Sequence, residues 1–331
     1  MSTEYCIRRA KLEESERIID FLNREWGRKQ ILSDKKYFSY YYVVDEELNF
    51  VIATKHDDIV AACGFVRASG TDVWGSHLFV KKGENPFLVL RIIEFFEEEG
   101  LNLFGVGIVK NTQGLYRVFG YEVGKLIHYY KLFDRNEYKI ATVDEKQVYS
   151  NFSNEYQVIK LDSGEALQNK IDPSIFNDQR PQKSFEYVIR RYYNFPYSEY
   201  KYSVWAIQVA DNYFPTIFVT REQAVSGAKV LRIVDIIGSE DVLNGIGQFF
   251  EEQGRINGYE YIDCWCCGIK DSIMLNLGFI CNETNLIPDR LEPLQKCNDE
   301  IYYYNCNVLG FRAFKADGDM DRPNIWYNTV L

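Results

Sequence analysis

Histidine and methionine are scarce in this sequence, three of each among 331 residues. Cys264, Cys266 and Cys267 have no second cysteine pair at ligand spacing, so no metal is expected. No apolar run approaches the ~20 residues a membrane-spanning helix needs. The N-terminal MSTEYCIRRAKLEES lacks the apolar core of a signal peptide, so a cytoplasmic protein without membrane contact is expected. Positive charge is also in deficit: Lys and Arg number 38 against 48 Asp and Glu, a net charge of −10. Such a chain repels a phosphate backbone, and nucleic acid is not an expected partner. What is abundant is aromatic: 25 Tyr, 22 Phe and 5 Trp, 16% of the chain. A Tyr-rich chain offers flat amphipathic surfaces to bases and sugars as well as core material. Eight cysteines in a mid-sized chain without a signal read as reduced thiols. At 46% hydrophobic the chain can fill two cores, which excludes disorder.

One unit is written twice. FFEEEG at 95–100 is echoed by FFEEQG at 249–254. Each follows a strand and an apolar-periodic helix, and each leads into a second apolar run, LFGVGIV at 103–109 and YIDCWCCGI at 261–269. A short helix then ends in Gly120-Tyr121 or Gly278-Phe279. The matched sequel argues for duplication of a domain-sized fold. Runs of β-branched and aromatic residues predict strands near 49–54, 59–68, 74–80, 103–109 and 122–133 in the first half. In the second half they predict strands near 202–210, 213–220, 229–237 and 260–267, with a Tyr-rich strand at 301–305. Helices are expected near 86–99 and 240–254, the first with Pro86 in its opening turn and Gly100 as its stop. The polar stretch 134–180 reads as the inter-unit region, which divides the chain into domains 1–150 and 151–331.

NTQGLYRVFGYEVG at 111–124 carries a family resemblance. It is similar to the GNAT N-acyltransferase pattern of Asn, a small residue, Leu-Tyr, then Gly-aromatic four residues after the Tyr. The second half looks like a diverged copy, with Met274 where Tyr116 would align. The resemblance implies an α/β (α+β) fold of two GNAT-like domains, each a mixed twisted sheet flanked by helices. It also implies acyl-CoA as co-substrate. A tandem, Tyr-rich chain ending in FKADGDMDRPN resembles enzymes that N-acylate a nucleotide-linked amino sugar, such as dTDP-3-amino-3,6-dideoxyhexose, with an acetyl or short hydroxyacyl group such as 3-hydroxybutanoyl. Two alternatives stand beside it: a tandem-GNAT aminoacyl transferase, and a non-catalytic protein that binds sugar nucleotides or a partner. The family's pyrophosphate loop is replaced here by Lys81-Lys82-Gly83-Glu84-Asn85-Pro86 in the first half and by Gly238-Ser239-Glu240-Asp241 in the second. The second adds two carboxylates, so the first domain is the expected acyl-CoA site and the second the scaffold and acceptor side.

Acyl transfer to an amine needs a bound thioester, a proton acceptor, a donor to the carbonyl oxygen and an acid for the thiolate. Tyr116 is the candidate acid, or else a core tyrosine. Lys82, Gly83 and Asn85 are expected either to cradle CoA phosphates at a helix N-terminus or to form a solvated turn. Asn111 either binds pantetheine or caps its helix. Trp26 is a candidate acceptor platform or a core anchor. Lys183 and Arg191, interleaved with tyrosines, fit a nucleoside diphosphate or else a solvated helix face. In the tail, Asp317 and Asp319 are candidates to hold or deprotonate a sugar ammonium, with Arg322 and Asn324 on the acceptor, against a plain surface turn. His77 lies on the strand where a thioester would pair and offers a base, with a core or edge histidine preferred.

Overall fold

The computed structural model describes residues 5–27, 29–147, 149, 152–297 and 299–322. The chain divides into two compact units. The first comprises 1–123, 304–307 and 318–331, and the second 124–303 and 308–317. Among the described residues no helix is long and apolar enough to cross a membrane.

In the first unit the chain runs through β1 (Cys6–Arg9), α1 (Ser15–Glu25), α2 (Lys35–Tyr42), β2 (Phe50–Lys55), β3 (Asp58–Arg67) and β4 (Asp72–Val80). It continues through α3 (Leu88–Glu98), β5 (Asn102–Ile108), α4 (Gln113–Val118) and β6 (Glu122–Lys125). β1 to β4 pair antiparallel in that order, and β5 adds parallel to β4. α3 forms because Leu88, Ile92, Ile93 and Phe96 fall on one face at helical spacing. That face meets Val51, Val60, Phe65, Val73 and Leu103 on the sheet, and each large side chain so buried contributes about 1.5–3 kcal/mol.

The second unit holds β7 (Ile127–Leu132), β8 (Gln157–Leu161), α5 (Gly164–Lys170), α6 (Phe185–Val188), β9 (Tyr202–Gln208), β10 (Thr216–Val225) and β11 (Ala228–Gly238). α7 (Gly247–Asn257), β12 (Tyr261–Cys267) and α8 (Asp271–Asn276) follow. β8 to β11 are antiparallel, and β12 adds parallel to β11. Phe250 on α7 is buried as Phe96 is on α3. The Gly-aromatic signatures also match in detail. Gly120 and Gly278 both take positive φ, 79° and 82°. The following ring residue donates its N–H back into the short helix, Tyr121 to Tyr116 at 3.1 Å and Phe279 to Met274 at 2.9 Å.

Two features depart from the sequence reading. The run 122–133 is two strands: β6 belongs to the first sheet and β7 pairs with β12 in the second. Late in the chain, β13 (Tyr302–Asn305) enters the first sheet, whose order is β1-β2-β3-β4-β5-β13-β6. A single cut near 150 therefore does not describe the units. Residues 157–161 and 164–170, within the polar stretch, are β8 and α5 of the second unit. An apolar run with a two-residue period records a pleat and does not record which sheet supplies its partner.

Candidate active site

In the first unit the parallel pair holds only from Asp72–Asn102 to Trp74–Phe104, after which β4 and β5 part. Just beyond, β4 is bulged: Gly64 faces Ser76 while Ala62 faces Phe79. The extra residue places His77 in the left-handed region at φ 48°. A bulge re-aims side chains that strict alternation would send to opposite faces. Here it brings Ser76 and His77 to one group of partners. Ser76 Oγ is 3.0 Å from the Tyr42 hydroxyl, and the Tyr42 and His77 rings are 5.9 Å apart.

That group centres on Asp319. Its Oδ2 receives His77 Nε2 at 2.8 Å, Arg322 Nη1 at 2.7 Å, the Tyr37 hydroxyl at 2.9 Å and the Tyr42 hydroxyl at 3.0 Å. Burial alone would push this carboxyl up. The adjacent Arg322 guanidinium, then His77 and the hydrogen bonds, overcome that and hold it far below the usual carboxylate range. Burial and the same carboxylate raise Tyr37 and Tyr42 well above the ordinary phenol range, so both act as neutral donors. His77 Nε2 thus faces the Asp319 carboxylate and also lies 3.4 Å from Arg322 Nη1. The Trp26 ring lies 5.5 Å from His77 and meets Phe79 edge-on at 5.7 Å.

The parted strands are lined by glycine, and a ring from late in the chain lies over them. A Cβ on Gly75 would sit 2.6 Å from the Tyr304 hydroxyl, and one on Gly105 would overlap the same ring. Tyr304 in turn stacks on Tyr116, with centroids 4.0 Å apart and planes 12° apart. Burial raises both phenols, and their hydroxyls interact. Met320 covers Gly107. Thus Tyr116 is a buried member of the core on the α3 side of the sheet.

The remaining expectations have definite places. Lys82 and Gly83 lie in an exposed turn before α3. Asn85 is exposed, and its side-chain oxygen accepts the Phe87 N–H at 3.0 Å. Glu84, in the same turn, accepts from Tyr5 at 2.9 Å and approaches Lys55 at 3.5 Å. Asn111 is exposed in a 3-10 turn that starts after Val109, so it caps nothing. Asn324 lies outside the described residues. Lys183, in the irregular chain just before α6, and Arg191, in the helical turn that follows it, are both interior residues. Lys183 Nζ is 2.7 Å from Asp235 and 2.8 Å from Asp317, with all three side chains fully enclosed. Arg191 reaches the Tyr202 hydroxyl at 3.2 Å and the Ala316 carbonyl at 3.4 Å. Asp317 is therefore separate from Asp319 two residues later. Burial lifts its carboxyl to about 6, with Lys183 pulling it down and Asp235 pushing it up.

Reasoning from sequence missed Tyr37, Tyr42, Ser76 and Tyr304. The two helical tyrosines do fall on the inward face of α2, but among 25 tyrosines that signal singles out neither.

The second unit repeats the backbone device. β11 and β12 pair from Leu231–Ile262 to Ile233–Cys264 and then part. β11 is bulged at Val234, since Thr220 faces Ile233 and Val219 faces Asp235. The departing edge of β12 is taken by β14 (Ala313–Phe314), paired at Cys266–Phe314 and Cys267–Ala313.

No protein-family model and no curated protein matches the chain. Solved structures do. A GCN5-related N-acetyltransferase from Anabaena variabilis superposes with TM-score 0.57 at 12% identity, covering 90% of this chain and 72% of that one. A probable N-acyltransferase from Enterococcus faecalis gives 0.54 at 8% identity, with 91% and 72% covered. A GCN5-related N-acetyltransferase from Kribbella flavida gives 0.53 at 10%, with 90% and 70% covered. At such identities the likeness speaks of fold: the chain folds as two GNAT-like domains, each a mixed sheet flanked by helices.

Proposed function

We propose that the first unit transfers an acyl group from acyl-CoA to a primary amine by direct attack in a ternary complex. The carrying observation is the His77–Asp319 pair on a bulged strand at the point where it leaves its parallel neighbour. The amine nitrogen attacks the thioester carbon, the C–S bond breaks, and His77 Nδ1 takes the surplus proton. Asp319 balances the imidazolium so formed, as a buried carboxylate does for a catalytic histidine. The Tyr116 hydroxyl supplies the proton to the departing thiolate. Coenzyme entry on this reading requires the Tyr304 ring and the Met320 side chain to leave the glycine-lined gap. Lys82 and Gly83 are the exposed groups beside the N-terminus of α3 for the phosphates, and Trp26 flanks the acceptor.

The finer acceptor reading is a nucleotide-linked amino sugar, with acetyl or 3-hydroxybutanoyl as the acyl group. Lys183, Arg191 and Asp317 serve the second unit's interior in this scheme, which leaves Arg322 and Asp319 as the charged groups nearest the base. The test is free-thiol release from acetyl-CoA and 3-hydroxybutanoyl-CoA against dTDP- and UDP-amino sugars. His77→Gln should lower turnover about 10²–10⁴-fold while leaving the melting temperature nearly unchanged. Equal turnover of the variant and the parent would remove His77 from the reaction.

A second reading is binding without catalysis. The Tyr304 ring over Gly75 and Gly105, and the turn before α3 with Glu84 in it, favour it. Thermal shifts separate the two: acyl-CoA should stabilise a transferase, and should leave a coenzyme-blind protein unmoved.

A further inference from the structure

The first unit presents a surface that a nucleotide alone would not cover. β4 and β5 run parallel, so the chain leaves both at the same end of the sheet. The turn 81–87 emerges there from β4, and residues 109–112 emerge from β5. Their immediate neighbours Val80, Leu88 and Ile108 pack in one cluster, which holds the two departures together. Just outside that cluster Phe87 is 62% exposed and Val109 64% exposed. Lys82 and Lys110 also face solvent, and Lys81 is partly buried beside them. The two segments thus carry three lysines in a chain whose net charge is −10. Glu84 is the only carboxylate they contain, and Tyr5 and Lys55 hold it.

The same turn is poorly built for the phosphates of a free coenzyme. A helix N-terminus attracts anions through its open N–H groups. Here Asn85 turns its side-chain oxygen onto the Phe87 N–H, and the Glu84 carboxylate in the turn repels a phosphate. An exposed aromatic side chain among cations is instead the make-up of a protein interface, with an apolar anchor and a charged rim. Basic groups at such a rim select an acidic partner. The reacting centre is near: Val80 lies three residues beyond His77, about 10 Å at a strand rise of about 3.3 Å per residue. A pantetheine arm spans that distance.

We infer that the acyl donor reaches this unit on an acidic carrier protein, whose body docks on Phe87, Val109 and the three lysines while its pantetheine arm enters between β4 and β5. The destination of the arm rests on the transfer reading; the docking surface is the added element. The arm of such a carrier holds one phosphodiester, so Lys82 has one phosphate to meet, and acyl-CoA is the smaller donor with the same arm.

Calorimetric titration of the full-length protein tests it with an acetyl-loaded acidic acyl carrier protein, the same carrier without its arm, and acetyl-pantetheine. The loaded carrier should bind at least about tenfold more tightly than either of the others. Raising the salt about tenfold should erase most of that gain. Phe87→Glu and Lys110→Glu should each weaken the loaded carrier at least about fivefold and leave acetyl-pantetheine unchanged. Both side chains face solvent, so the variants should keep the parent's melting temperature. Saturable acetyl-pantetheine binding with no gain from the carrier, or a gain that neither variant reduces, would overturn the docking and leave the transfer reading in place. Equal binding of the carrier with and without its arm would overturn delivery into the gap. No binding of any of the three would overturn the docking and the transfer reading together.

Discussion

Strand β4 turns a histidine toward a carboxylate that is held ionised; strand β11, bulged at the corresponding step, turns an aspartate toward a buried lysine. Both strands have just left a parallel neighbour when this happens. The outcomes differ because of what fills each surrounding. Around β11 the charges are partnered internally: Lys183 sits between Asp235 and Asp317, and Tyr192 donates to Asp235 at 2.7 Å. The neighbouring strand edge is sealed by β14. Around β4 the same device sets an imidazole against a carboxylate that also receives Arg322 and two tyrosine hydroxyls. The same backbone device thus carries a lysine between two carboxylates in one unit and a histidine facing a carboxylate in the other.

The comparison breaks most easily at its most buried charge. Lys183→Met leaves two enclosed carboxylates facing each other and should cost about 3–5 kcal/mol in urea unfolding. A loss below about 1 kcal/mol, typical of an exposed pair, would show that the triad is no staple. Next comes the paired replacement of carboxylates two residues apart. Asp319→Asn removes the negative charge on which four donors converge and should cost about 3 kcal/mol at neutral pH. Asp317→Asn replaces a group already biased toward its neutral form and should cost only about 1 kcal/mol. The reverse order would invert the assignment of the two clusters.

Acid sharpens the same contrast. The depressed folded value of Asp319 gives stability that is complete above the ordinary aspartate value and fades as pH falls below it. Asp317, raised to about 6, behaves oppositely: its contribution is complete below the ordinary value and is lost as pH rises through 6. Unfolding of Asp317→Asn should therefore lack a decline in stability between roughly pH 4 and 6 that the parent shows, whereas Asp319→Asn should keep it. A further test concerns the gap. Gly105→Ala collides with the Tyr304 ring and should cost about 1–3 kcal/mol, part of which Tyr304→Ala in the same chain restores. Tyr304→Ala alone should tighten acyl-CoA binding. An unchanged affinity would mean that the coenzyme does not pass over Gly75 and Gly105.

The readable part of the site was the local part. The α3 helix follows from an apolar spacing held within eleven residues, Leu88–Glu98, and the Gly-aromatic turns follow from positions that need positive φ. The polar groups were readable as chemistry but not as neighbours. Asp317 and Asp319 look alike in FKADGDMDRPN, yet one joins Lys183 and the other His77. The notion of a nucleotide-binding face at 181–200 went astray because alternating bases and tyrosines look the same whether the bases face water or pair inside.

By itself the amino-acid order determined the repeated FFEE unit, the central strands and the helix that precedes each second apolar run, and the absence of long apolar spans, because these depend on periodicities a few residues long. Only the tertiary structure decided that β13 enters the first sheet, that Tyr304 covers Gly105, and that Asp319 meets Tyr37 across 282 residues of chain. Such pairings are selected by complementary shape and charge after distant segments have been brought together, and no local pattern records them.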